Sequence, residues 1–225
     1  MVTLMQRRRE MMRLASASPA PTIDDYVQDG IILWLDGIEN TRSGHNASAT
    51  KWEDLSGNAR DYTYASTSVI GDKYCKPNNK LTNTKDRPTN QVTIEIVMDF
   101  VSSGSSQMIL PWGGNAYKTV WISSSGSPIY FSAGNSNASK GIAVRSGINT
   151  YAATSTSSMF FNGVSDTIVS GSATWQNGAH YIGYYSSSSP RTVSSKIYAI
   201  RMYNRALTAA ELLQNAQIDR ARFGT

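Results

Sequence analysis

Two carboxylates on one short stretch, Glu95-Ile-Val-Met-Asp99, are the only residues of this chain spaced for paired acid chemistry. Cleavage of a glycosidic bond needs two carboxyl groups flanking one bond. Four residues along an extended strand set the two Cα atoms about 13 Å apart. Both side chains would then have to lean inward to reach the ~5 Å of a retaining pair. Glu95 and Asp99 are therefore read as solvated residues on the polar face of a strand. His45 and His180 are the only imidazoles and lie far apart in sequence. There is no G-x-S-x-G elbow, and Trp112-Gly-Gly-Asn115 lacks the lysine and helix of a phosphate loop. Catalysis is not expected. Two histidines without ligand spacing also exclude a catalytic zinc pattern. No cofactor is expected, although oxygens of Asp54, Asn58 and Asp61 leave structural calcium open.

The binding chemistry lies in aromatic residues. A ring face can lie against the C–H face of a sugar while amides satisfy its hydroxyls. Trp34 and Trp121 sit inside apolar strands and are read as core. Trp112 in LPWGGN and Trp175 in ATWQNG stand in loops rich in Gly and Asn, with Asn115, Tyr117, Gln176 and Asn177 as polar partners. Tyr184-Tyr185, before a run of serines, adds a further ring, so the candidate ligand-binding residues are Trp112, Asn115, Tyr117, Trp175, Asn177 and Tyr185.

A second cluster stands at the N-terminus. Residues 1–14 combine Arg7, Arg8, Arg9 and Arg13 with Leu4, Met5, Met11 and Met12. This reads as a basic, methionine-rich docking arm, in which arginines meet acidic grooves while methionines insert as adaptable apolar anchors. The arm holds +3 of the net charge of +5, so the rest carries only +2. A basic groove specific for nucleic acid is not implied. Residues 15–22, ASASPAPT, form a linker that cannot build a core.

The elements that must position these residues are strands. From Ile23 onward the chain is rich in Ser, Thr, Gly and Tyr, poor in charge, and punctuated by turn residues every 8 to 12 positions. Gly30–Asp36 is a nearly continuous apolar run suited to a central strand. Val92–Phe100 alternates, with Ile94, Ile96 and Met98 on one face and Thr93, Glu95 and Asp99 on the other. Further strands are expected near 107–111, 117–123, 128–132, 140–145, 148–154 and 179–185. Asn162-Gly163 predicts a type I′ hairpin turn. Lys196–Tyr203 reads as a strand, and Thr208-Ala-Ala-Glu211 as a capping box opening a short helix that Gly224 ends. The length suits one large β domain, residues 23–225, and the lone Cys75 excludes an intrachain disulfide and reads as a buried thiol. No apolar run is long enough to span a membrane, and residues 1–21 lack the apolar core of a signal peptide.

In order along the chain, DGIILWLDG (29–37), WEDLSGN (52–58), FNGV (161–164) and KIYAIRMYNRALTAAEL (196–212) resemble the LamG-like members of the concanavalin A-like superfamily. The resemblance implies an all-β, two-sheet antiparallel jelly-roll sandwich with a short C-terminal helix, here with an N-terminal extension. It assigns Trp52 a structural place. Its members include lectins, carbohydrate-binding modules, glycoside hydrolases and phage virion proteins, so fold does not select function. An outward-facing fold without an export signal, carrying a basic arm, leads to the expectation of a non-enzymatic adhesion protein on the surface of a tailed-phage virion. Its expected partners are other virion proteins through residues 1–14 and a glycan, with homo-oligomerisation left open and no membrane partner. The competing expectation is a secreted or cell-surface carbohydrate-binding module, ahead of a glycoside hydrolase.

Overall fold

A computed structural model describes residues 19–83, 85, 92–111, 118–124, 128–132, 139–154, 158–166, 181–183 and 193–225. The strands in chain order are β1 (Ile31–Asp36), β2 (Lys51–Trp52), β3 (Tyr62–Thr63), β4 (Val69–Ile70), β5 (Cys75–Lys76), β6 (Leu81–Asn83), β7 (Thr93–Asp99) and β8 (Gln107–Pro111). They continue as β9 (Lys118–Ile122), β10 (Ile129–Ser132), β11 (Ser139–Ile142), β12 (Ile148–Thr154), β13 (Met159–Phe161), β14 (Val164–Ser165), β15 (Tyr181–Ile182) and β16 (Lys196–Tyr203). One α-helix, α1 (Ala209–Phe223), closes the chain, and a 3-10 turn at Ile23–Asp25 precedes β1.

These strands form two antiparallel layers. The first is an eight-stranded sheet in the order β14-β13-β12-β7-β16-β5-β4, with β1 also paired to β16. The second is built of β11-β10-β9-β8 and β15-β6-β3-β2, which meet where the Gly183 N–H donates to the Ile109 carbonyl at 3.1 Å. The main core lies between the layers. Leu33 and Leu35, Ile94, Ile96 and Met98, Ile200 and Met202 face Val120, Ile122, Ile129, Phe131 and Leu81 across it. The expected all-β sandwich with a terminal helix is the observed fold. Sequence alternation did not reveal the short strands β2 to β6, because two or three residues are too few to show a period. Cys75 is buried in this core, and burial pushes its thiol up.

The Asn162-Gly163 turn takes φ values of 48° and 78°, the left-handed pair of a type I′ hairpin. A Cβ on Gly163 would stand 2.6 Å from Leu213 Cα, so glycine lets this turn rest directly on the helix. Thr208 and Glu211 cap α1 reciprocally, and Gly224 ends it with φ 85°. Arg205 holds the Glu211 carboxyl down at about 2, with added help from Thr208.

The helix lies on the outer face of the eight-stranded sheet, held there by polar contacts as well as apolar ones. Leu212 packs with Tyr203, Leu207 and Phe160, Ile218 with Tyr26 and Trp34, and Phe223 with Val97, Tyr198 and Ala199. Between these clusters stands Arg201 of β16, which is fully buried. Its Nε donates to Glu95 Oε2 at 2.8 Å, and its two Nη donate to both oxygens of Asp219 at 2.9 and 2.6 Å. Asp219 also accepts from Tyr26 Oη and Thr150 Oγ1, each at 2.8 Å. Asn215 Nδ2 donates to Glu95 Oε2 at 2.9 Å and to Tyr203 Oη at 3.0 Å, while its Oδ1 accepts from the Val27 N–H. Arg222 reaches Asp36 at 2.6 Å and Glu39 at 3.2 Å. Asn215, Asp219 and Arg222 stand at i, i+4 and i+7, one face of the helix.

Glu95 is 1% exposed, which overturns its reading as a solvated residue. Alternation correctly assigned it to the outer face, but α1 covers that face. Burial pushes its carboxyl up, with Arg201 opposing and Asp219 adding to the rise. Two carboxylates share one guanidinium here, and Glu95 Oε1 accepts no hydrogen bond. Arg201→Ala would strand both carboxylates and is expected to cost about 3–5 kcal/mol in urea unfolding. Because the folded state holds the Glu95 proton more tightly than the unfolded chain does, its stabilising contribution is complete below the unfolded value of about 4.3. It is then lost as pH rises toward the folded value. The unfolding free energy of wild type relative to Glu95→Gln is therefore expected to fall as pH is raised from about 4 to 7. A difference that rises instead would contradict this coupling.

Candidate functional site

Helix α1 and the segment around Tyr26 cover much of the outer face of the first layer, while the second layer carries its own outward-facing side chains. On β9, Val120 and Ile122 point into the core, and parity therefore turns Trp121 outward. On β10 the core residues Ile129 and Phe131 do the same for Tyr130. Both outward rings are half-buried. They are direct partners across the strands, stacked at 4.3 Å between centroids and 14° between planes. Trp121 is thus not a core residue, as its apolar surroundings had implied. Its neighbours alternate with it, and they rather than Trp121 fill the core.

Two flanking residues complete the strip. Met108 of β8 stands opposite Trp121 and is fully buried. Gly141 of β11 stands opposite Tyr130. A Cβ at Gly141 would lie 3.0 Å from Tyr130 Cδ1 and 2.9 Å from Pro128 Cγ, so a glycine lets the tyrosine ring settle over the edge strand. Met108 and Gly141 are buried, so the accessible part of this strip is the Trp121–Tyr130 pair on adjacent strands ~4.8 Å apart. On the adjoining strand β15, Ile182 is buried in the core and Tyr181 is half-buried, with the Lys80 ammonium 3.6 Å from its ring centroid. That distance is a cation–π contact. The surface thus offers aromatic rings on β15, β9 and β10 around an apolar floor.

The expected ligand residues Trp112, Asn115, Tyr117, Trp175, Asn177 and Tyr185 lie outside the described residues, as do Gln176, Tyr184 and His180. So do the arm residues Leu4, Met5, Arg7, Arg8, Arg9, Met11, Met12 and Arg13. The 112–117 segment joins β8 to β9, the two strands that carry Met108 and Trp121. Sequence reasoning missed the Trp121–Tyr130 pair, although the signal was present. Each ring is flanked by two aliphatic or aromatic core formers at the period of a strand.

The other candidates resolve into structure. Glu95 is enclosed beneath α1, while Asp99 at the end of β7 is half-buried, so the two carboxylates do not share an open cleft. Asp54 is buried, and both of its oxygens accept backbone N–H groups: Oδ1 from Trp34 and Ser56, Oδ2 from Arg60. Asp61 accepts from the Asp54 N–H and pairs with Arg42. Asn58 Nδ2 donates to the Ile32 carbonyl. Trp52 is buried and its Nε1 donates to the Asp36 carbonyl at 2.7 Å. The WEDLSGN loop therefore fastens onto β1, and its acids are engaged in doing so. Among the described residues no three His, Cys, Asp or Glu side chains gather as metal ligands, and no helix is long and apolar enough to cross a membrane.

No protein-family model matches the chain, and no curated protein is significantly similar to it. Solved structures are similar in fold. Trypanosoma rangeli sialidase in complex with sialic acid matches over 99% of this chain and 39% of its own, with a TM-score of 0.57 and 17% identity. The same sialidase with 2,3-difluorosialic acid, a covalent intermediate, gives a TM-score of 0.60 at 14% identity over 99% and 40%. The receptor-binding domain of botulinum neurotoxin type G gives 0.56 at 16% identity over 85% and 52%. This chain thus spans from about two fifths to half of those chains. At such identities the likeness shows the fold alone, and that fold is an antiparallel β-sandwich of the jelly-roll kind.

Proposed function

We propose that this chain is a non-enzymatic, lectin-like adhesion domain whose glycan surface is the outer face of β8 to β11. The observation that carries this reading is the outward Trp121–Tyr130 pair between Met108 and Gly141, on the layer that α1 does not cover. Stacked rings offer apolar area at low entropy cost, against which the C–H face of a sugar can lie. The enclosure of Glu95 supports binding over turnover, because the one carboxylate pair with hydrolase-like spacing is not open to a substrate. Proteins of this fold include one solved with sialic acid and one described as a receptor-binding domain, both compatible with a glycan or receptor ligand.

The finer reading places the domain in the LamG-like family and on the surface of a tailed-phage virion, as a capsid decoration, head fibre or tail-associated protein. It rests on the ordered motifs and on the composition of residues 1–14. Arginines interleaved with methionines suit an arm that orders against an acidic, apolar-lined partner.

Glycan-array binding followed by titration is expected to show Trp121→Ala and Tyr130→Ala each weakening affinity by about tenfold, the equivalent of ~1.4 kcal/mol. Undiminished binding in both variants would remove this surface as the site. Deleting residues 1–18 spares Thr22, which caps the 3-10 turn. The shortened chain is expected to unfold with unchanged cooperativity and to bind the same glycan, yet to be absent from assembled particles. Its incorporation into particles would refute the anchoring role of the arm.

A further inference from the structure

A second concave surface lies on the opposite side of the sandwich, at the C-terminal end of α1. Its origin is a bulge in β16. Ile197 pairs with Met98 and Ala199 with Val97, which leaves Tyr198 as an extra residue between them. Such a bulge re-aims a side chain. Here Tyr198 joins Ala199 on the outer face and packs with Phe223, the last residue of α1. The Tyr198 and Phe223 rings meet edge to face at 5.7 Å, and Tyr74 approaches Tyr198 at 5.7 Å with 53° between planes.

The β4–β5 hairpin brings Tyr74 there through two glycines. A Cβ on Gly37 would stand 2.2 Å from the Lys73 carbonyl oxygen, and one on Gly71 would stand 2.5 Å from the Tyr74 ring. The clash at Gly37 is with backbone, so the hairpin sits this close because Gly37 lacks a side chain, while Gly71 leaves room for the Tyr74 ring within the hairpin. Lys73 Nζ then donates to the Arg222 carbonyl at 2.9 Å, tying the hairpin to the end of the helix. The resulting groove encloses about 420 Å³, within the range of small-molecule sites. Tyr198 and Phe223 form its floor, Tyr74 and Ile148 line it, and the exposed Asp72 and Lys73 stand at its rim.

Charge around the groove is balanced. Lys73 and Lys196, whose ammonium lies 5.1 Å from the Tyr74 centroid, are matched by Asp72 and Asp99. Burial, with Asp99 and Tyr74 adding to it, pushes the Tyr198 phenol up, so this hydroxyl stays protonated at neutral pH and can donate or accept. Aromatic faces below and a mixed donor–acceptor rim above suit a ring that is apolar on its face, hydroxylated at its edge and uncharged.

We propose that this groove binds a single neutral pyranose ring, independently of the Trp121–Tyr130 surface. With both sites occupied, one domain would engage glycans from two sides, and tethering two sites raises avidity without new contacts.

Saturation-transfer NMR on the full chain tests the groove. The probes are the methyl pyranosides of glucose, galactose, mannose and N-acetylglucosamine, with choline chloride as a cationic control. Transfer to at least one glycoside is expected to persist in Trp121→Ala and to fall about fivefold or more in Tyr74→Ala and in Asp72→Ala. Asp72 is exposed, so its variant tests the rim without disturbing the hairpin, and thermal unfolding checks that both variants stay folded. Three results would overturn the proposal: no transfer to any glycoside, transfer unchanged in both groove variants, or Tyr74-dependent binding of choline in place of the glycosides. Glycan binding undiminished by Trp121→Ala and Tyr130→Ala would sink the earlier assignment and leave this one standing.

Discussion

One guanidinium holds the two halves of the outer architecture together. Arg201 emerges from the central strand β16 and forks onto Asp219 of the helix, while its Nε reaches Glu95 of the neighbouring strand. Its plane also lies 4.4 Å from the Tyr26 centroid, bringing the segment before β1 into the same contact. Helix, sheet and N-terminal segment thus converge on a fully buried cation. A charge in that position is tolerable only while its partners remain, since stripping one away leaves the others desolvated and unpaired.

The network explains why the helix sits where it does. The apolar face of α1 is interrupted by Asn215, Asp219 and Arg222, all buried. Leucine and isoleucine contacts alone would tolerate sliding along the sheet. A shift of one turn, about 5.4 Å, would put Asn215 or Phe223 opposite Arg201 in place of Asp219, and a second acid, Glu211 or Asp219, opposite Glu95 in place of Asn215. Losing several buried charge-assisted bonds at once outweighs any apolar contact such a shift could recover. Register is therefore set by polar partners from β1, β7, β12 and β16, and the apolar clusters fill in around them.

Much of this fold was legible in the sequence, and the exceptions have common physical causes. Alternation in Val92–Phe100 assigned every residue to its face, and the Asn162-Gly163 turn and the Thr208–Glu211 box formed as their local chemistry dictates. Alternation does not say what lies over a face. Glu95 looked solvated because the helix that buries it is contributed by residues 209–223, more than a hundred positions away. Trp121 misled for the opposite reason. An apolar neighbourhood marks a buried strand, yet the parity of Val120 and Ile122 required the residue between them to point outward. The bulge at Tyr198 was beyond reach, because an inserted residue reverses parity without leaving a signature in KIYAIRMY. Cys75 and Trp52 needed no such insight, being apolar groups in short strands whose side chains had only the core to enter.

The buried lock and the outer groove are one construction. Arg222 turns inward to Asp36 and Glu39, and its carbonyl turns outward to accept from Lys73. Phe223, the next residue, can then lie against Tyr198 only because both the helix register and the β16 bulge are fixed. Asp36 links the two as well, accepting from Arg222 while holding the turn that leads to Gly37, where the hairpin makes its closest approach. A polar network placed to fix a helix thereby fixes the aromatic walls at its far end. The aromatic walls of the groove thus follow from where one arginine is buried, whereas Trp121 and Tyr130 owe their outward placement to strand parity on the other layer.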